Sequence, residues 1–248
     1  MSTEVDVTLS FDVRGTVAAA RRIIALYEKE GVKKENVRVK ISATWEGIQA
    51  ARILQEEHGI SCLITVVFSL VQAVAAAEAG VDAVAPYVGR MADWGKANGY
   101  HGDLGVARVS EMQHYLRRFG FKTKVMAASF RSVEQVRGLA GIDLLTASPA
   151  ILKSVEAETT PIAPKLTAES GKLKPTFGMA FSVHACLTGA PSTIARAADL
   201  REVSYINDES AFRWAFNSDA CAVEKSADAM RRFAEDTQKL KDLLATML

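Results

Sequence analysis

Apolar and polar residues alternate along Thr3–Val7 and again along Val37–Ser42, where Val37, Val39 and Ile41 are interleaved with Arg38, Lys40 and Ser42. A period of two predicts half-buried strands at both places. Between them Val17, Ala20, Ile23, Ile24 and Tyr27 recur at helical spacing over 13–29, behind a capping Asp12 and ahead of a terminating Gly31. Thr44, followed by Glu46 and Gly47, predicts the N-cap of a second helix through Ile48, Ala51, Ile53 and Leu54. The alternation then repeats. A strand at Cys62–Phe68 leads into an Ala-rich helix up to Gly80, and a strand at Val81–Ala85 is ended by Pro86. A polar loop over 95–106 precedes a helix at 107–119 that ends at Gly120. Thr123–Ala127 pairs with a short helix over 132–139, and Asp143–Thr146 with a helix over 149–156.

Six strand–helix units demand parallel strands joined by crossovers, so the fold class is α/β, either an open doubly wound sheet or a (β/α) barrel. No Gly-rich phosphate loop follows any strand, which counts against the nucleotide-binding open sheets. A barrel of the common type has eight strands, and six leave two missing. Residues 157–206 lose the periodicity and read as loop or insertion, with 176–202 assigned to no element. From 207 to 248 two amphipathic helices are expected; the last carries Ala227, Met230, Phe233, Leu240, Leu243 and Leu244 near one face. Such a tail packs over a barrel mouth or on a partner subunit. The expected organisation is one domain, with an incomplete barrel over 1–156 and C-terminal helices packed on it.

Composition narrows the partners. With 248 residues, 49% of them hydrophobic, the chain can bury a sizeable core. A net charge of +1 with 24% charged residues supplies no global field for nucleic acid or a membrane surface. The uncharged run from Ile60 to Ala77 is interrupted by Ser61, Thr65, Ser69 and Gln72, so it reads as strand plus helix rather than a membrane span. The acidic, strand-like start has no secretory character. Cys62, Cys186 and Cys221 are odd in number and share no metal-ligand spacing, which fits a reducing, cytoplasmic setting without a disulfide framework.

Lys40 lies near the carboxyl end of its strand, where α/β proteins bind ligands. Two readings stay open. Arg38 and Lys40 can simply keep an edge or outer face soluble. Alternatively, Lys40 is partly withdrawn from water, with a lowered pKa that leaves free amine to form a Schiff base with a ketone.

The Lys40 segment with Thr44-Trp45-Glu46-Gly47, the runs Gly59-Ile60-Ser61-Cys62 and Ala77-Glu78-Ala79-Gly80, Pro86-Tyr87-Val88-Gly89-Arg90 with Asp93-Trp94, and Met126 to Arg131 resemble transaldolases. The resemblance covers about 2–156 and returns over about 205–248. It implies a class I aldol mechanism with no metal or other cofactor, in the pentose phosphate pathway. Lys40 would attack the C2 carbonyl of fructose 6-phosphate or sedoheptulose 7-phosphate, and a dihydroxyacetone unit would pass to an aldose phosphate. Glu4 and Thr65 match the pair that positions a catalytic water. Arg90, Ser129 and Arg131 match the phosphate site, with a surface ion pair between Arg90 and Asp93 as the competing reading. Trp45 and Trp94 are expected to pack. A homodimer is a candidate assembly.

Three departures from the family pattern accompany this. The two opening strands, with an aspartate that accepts the C4 hydroxyl proton and an asparagine that binds the dihydroxyacetone unit, have no counterpart. Leu63 stands where the family has asparagine and Ala85 where it has serine. Residues 176–202 have no recognised counterpart in the family. In addition, Tyr87 replaces the usual phenylalanine, as in the related fructose 6-phosphate aldolases, and is a possible substrate contact. A catalytically impaired, non-catalytic partner is therefore the alternative to an active transferase, with a fructose 6-phosphate aldolase behind it.

Overall fold

The computed structural model describes residues 1–167 and 201–247. Cys186 and most of the unassigned stretch 176–202 lie outside them. Six strands form one sheet in the order β1-β2-β3-β4-β5-β6, and every pair is parallel. They are β1 (Ser2–Glu4), β2 (Arg38–Ser42), β3 (Cys62–Val67), β4 (Ala83–Pro86), β5 (Lys124–Ala127) and β6 (Leu144–Leu145). Helices α1 (Val13–Lys29), α2 (Trp45–His58), α3 (Leu70–Glu78), α4 (Val88–Ala97), α5 (Leu104–Arg118) and α6 (Val133–Gly138) connect them, with α7 (Pro149–Glu156) after β6. This is a curled, incomplete TIM-type barrel, with β1 and β6 as its two edges.

The helices start where short polar side chains can accept from their free N–H groups. Asp12 accepts from Gly15 and Thr44 from Gly47, while Ser69 and Gln72 form a capping box. Asp103 caps α5 and starts it at Leu104, three residues before the expected position. Helix α4 has no side-chain cap at Tyr87 and was not expected as a helix. Its first N–H groups are satisfied by tertiary partners instead: Val88 donates to Ala128 O at 2.9 Å and Gly89 to Ser129 O at 3.0 Å. The first strand is shorter than the alternation suggests. Asp6 accepts from Thr8 and turns Val7–Leu9 into a 3-10 turn.

Strand parity separates two faces. Val39, Ile41, Cys62, Ile64, Val84 and Val125 are fully or almost fully buried on one of them. Each fully buried aliphatic side chain contributes about 1.5–3 kcal/mol. On the other face the register aligns Glu4, Lys40, Leu63, Ala83 and Lys124 in one row across five strands. Leu63, Ala83 and Ala85, with Met126 against them, form a separate small apolar cluster there.

Residues 157–167 and 201–206 carry no helix or strand. Tyr205 and Ile206 are nonetheless pinned, both donating to Glu78 Oε2. Helix α8 (Glu209–Asn217) then packs on α2 and α3, and α9 (Ala220–Ala245) on α4, β3, α8 and the 3-10 turn. The expected apolar stripe of α9 is partly buried in its first half, at Ala227, Met230 and Phe233. Leu240, Leu243 and Leu244 are exposed. Cys62 and Cys221 are buried free thiols, and burial pushes both up to about 12. Among the described residues no helix is long and apolar enough to cross a membrane.

Candidate active site

The row of inward residues places Lys40 directly between Glu4 and Leu63. Lys40 Nζ donates to Glu4 Oε2 at 3.0 Å, and both side chains are about three-quarters buried. Glu4 Oε1 is buried without a partner among the described residues. The same amine stands 6.0 Å from the ring centroid of Phe233 on α9. The sequence reading of a lowered lysine pKa is overturned. Burial does pull the ammonium down, but the Tyr87 phenol and the Glu4 carboxylate pull further the other way, and the net shift is upward. At neutral pH the group is therefore a paired ammonium whose proton has an acceptor within hydrogen-bond reach.

One layer further up, Ser42 aligns with Thr65. Thr65 is fully buried, and its hydroxyl shares a 2.7 Å hydrogen bond with the Tyr87 hydroxyl. Just after it the β3–β4 register shifts, and Val66 adopts a φ of 60°. For a β-branched residue this is strained, and bulges of this kind re-aim side chains beside sites. Gln72 holds the bulge, donating to Val66 O at 3.1 Å.

Tyr87 follows β4 directly and is the N-cap of α4. Its ring lies 5.3 Å from the Arg90 guanidinium, and Phe233 lies 5.5 Å from the same group on another side. Arg90 NH1 is buried with no hydrogen-bond partner among the described residues. Such a donor costs free energy unless an acceptor meets it. Ser129 holds a left-handed φ of 63°, and its carbonyl accepts from the Gly89 N–H next to Arg90. Arg131 crosses the face of Gly89: a Cβ there would sit 2.6 Å from Arg131 Cγ. Its guanidinium, about half exposed, pairs with Asp93 at 3.1 Å. The competing ion-pair reading had named the wrong arginine, since it is Arg131 and not Arg90 that pairs with Asp93.

The chain matches the transaldolase/fructose-6-phosphate aldolase family over residues 1–244. It is 44% identical over 249 residues to a transaldolase of Saccharomyces cerevisiae, covering 98% of this chain and 67% of that protein. It is 42% identical to a probable transaldolase of Drosophila melanogaster, covering 100% of this chain and 69% of the relative. The human transaldolase gives 42% over 250 residues, covering 98% of this chain and 66% of the relative. The chain belongs to the transaldolase/fructose-6-phosphate aldolase family. It spans about two thirds of the length of these relatives.

Within this transaldolase-family scaffold, Lys40, Glu4, Thr65, Tyr87 and Arg90 are linked by side-chain contacts, and Ser129 and Arg131 join them through Gly89. The two tryptophans pack: the Trp45 ring lies 5.5 Å from that of Phe212, and Trp94 donates to Glu224 at 2.7 Å. Leu63 and Ala85 sit in the inward apolar cluster, where neither can hydrogen-bond a ligand. Sequence reasoning missed the part played by Phe233. A phenylalanine at helical spacing reads as packing, and nothing in the periodicity says which element's groove it enters.

Proposed function

We propose that this chain carries out Schiff-base aldol chemistry at Lys40, transferring a dihydroxyacetone unit from a ketose phosphate to an aldose phosphate. The observation that carries the reading is the largely buried Lys40–Glu4 pair, together with an Arg90 NH1 that has no hydrogen-bond partner among the described residues. Glu4 takes the ammonium proton, and the freed amine adds to the C2 carbonyl of fructose 6-phosphate or sedoheptulose 7-phosphate. Loss of water gives the imine. Cleavage between C3 and C4 moves the bonding electrons into the imine as an enamine, releases an aldose phosphate and gives up the C4 hydroxyl proton to a base. The enamine then attacks an acceptor aldehyde, and hydrolysis frees Lys40. Glu4 and Thr65 would position the water of imine formation, and Arg90, Ser129 and Arg131 would hold the phosphate.

Leu63 and Ala85 remove two polar contacts, each worth about 1–3 kcal/mol, so turnover is expected to be slow. A second reading has one observation in its favour. The Tyr87 hydroxyl, oriented by Thr65 at 2.7 Å, is placed to protonate an enamine and release free dihydroxyacetone, as an aldolase would.

The test is to incubate the chain with fructose 6-phosphate, with and without erythrose 4-phosphate, and quantify products. Sedoheptulose 7-phosphate formed only with the acceptor supports transfer. Free dihydroxyacetone formed without acceptor supports the aldolase. Neither product from a folded chain would contradict both and leave the impaired, non-catalytic relative.

A further inference from the structure

Helix α9 is fastened at three points along its length. Asp219, its N-cap, pairs with Arg108 of α5 at 2.8 Å. Glu224 accepts from Trp94 of α4 at 2.7 Å, and Lys241 reaches Asp6, beyond β1, at 2.5 Å. The helix therefore runs as a strap from the α4–α5 side of the sheet to the β1 side. Phe233 lies between the second and third fastenings. Its ring is 5.5 Å from the Arg90 guanidinium, 6.0 Å from Lys40 Nζ and 6.5 Å from the Tyr87 ring.

We infer that Phe233 is a positioning residue of the site: packed edge-on against Tyr87, it flanks Arg90 with that ring on adjacent sides, and so fixes the guanidinium such that NH1, which has no partner among the described residues, meets an anionic phosphoryl group. The inference rests on the reading of Arg90 as an anion-binding group. The physical basis is geometric. A guanidinium on a flexible stem loses conformational freedom when it binds an anion, and one already held against two rings has lost part of it. NH1 is buried there and has no competing partner among the described residues. The ring beside Lys40 adds an apolar wall to the amine, so phosphoryl and carbonyl ends of one ligand are organised by a single side chain.

Two variants separate this role from packing. Phe233→Leu keeps the apolar bulk but loses the aromatic face, and Phe233→Tyr keeps the face. The primary readout is the affinity for inorganic phosphate by titration calorimetry, alongside melting temperature. Phe233→Leu is expected to bind phosphate roughly three- to tenfold more weakly with little change in melting, and Phe233→Tyr to recover most of the affinity. Equal affinity in wild type and Phe233→Leu would overturn the inference, as would equal losses in both variants tracking a lowered melting temperature. Failure of the wild type to bind phosphate would overturn it together with the Arg90 reading. Borohydride trapping of Lys40 with dihydroxyacetone, which has no phosphate, tests the Schiff-base reading in the same samples, so the two can fail independently.

Discussion

At the scale of single residues, the charge of Lys40 decides what the site can do. Folding raises its pKa above the ordinary 10.5, so the paired ammonium stabilises the fold throughout the neutral range. That contribution is lost only as pH climbs through the raised value. Under the proposed function, the nucleophile is generated by passing a proton to Glu4, 3.0 Å away. Glu4→Gln removes one of the groups that raise the lysine. The pH profile of imine trapping is expected to move to lower pH, while the maximal rate falls by about tenfold or more because the proton acceptor is gone. A profile left in place, measured by borohydride reduction across pH 6–11 or so, would contradict the pairing. The alternation around Lys40 made its strand and its company on one face legible. The direction of its shift was not legible, because it depends on Glu4, 36 residues upstream, and on Tyr87, at the start of α4.

At the scale of elements, caps explain both what could be read and what could not. Asp12 and Thr44 announce their helices through side chains three residues from the N–H groups they serve. Helix α4 is started by carbonyls of Ala128 and Ser129, about forty residues away in sequence, so no local signal marks it. That long-range cap also seats Arg90 against the Ser129–Arg131 loop. Gly89 makes the approach feasible, since a Cβ there would lie 2.2 Å from Ser129 O. Gly89→Ala is expected to destabilise the chain by about 1–3 kcal/mol, read from the denaturant midpoint, and to weaken phosphate binding in parallel. Unchanged stability would mean that the loop is not held as described. Helix α9 shows the converse. Its amphipathic pattern was readable, but Phe233 reaches the site while Leu240, Leu243 and Leu244 stay exposed, a division set by three distant fastenings rather than by periodicity.

At the scale of the whole molecule, six parallel strands present their carboxyl ends on one side, and the candidate groups from β1, β2, β3 and β4 meet there under α9. Six strand–helix units were countable in the sequence because each strand has its own period and each helix its own stop. The inward row is where the pattern departs from its family resemblance: Leu63 and Ala85 turn part of the interior apolar next to Lys40. Glu4 still pairs with the amine, and Thr65 with Tyr87. The most direct test of the account is peptide mapping by mass spectrometry after the folded chain has been incubated with fructose 6-phosphate and reduced with borohydride. The account predicts a single reduced dihydroxyacetone adduct on the peptide containing Lys40, absent from Lys40→Met. An unmodified Lys40 peptide, or adducts scattered over exposed lysines, would contradict it.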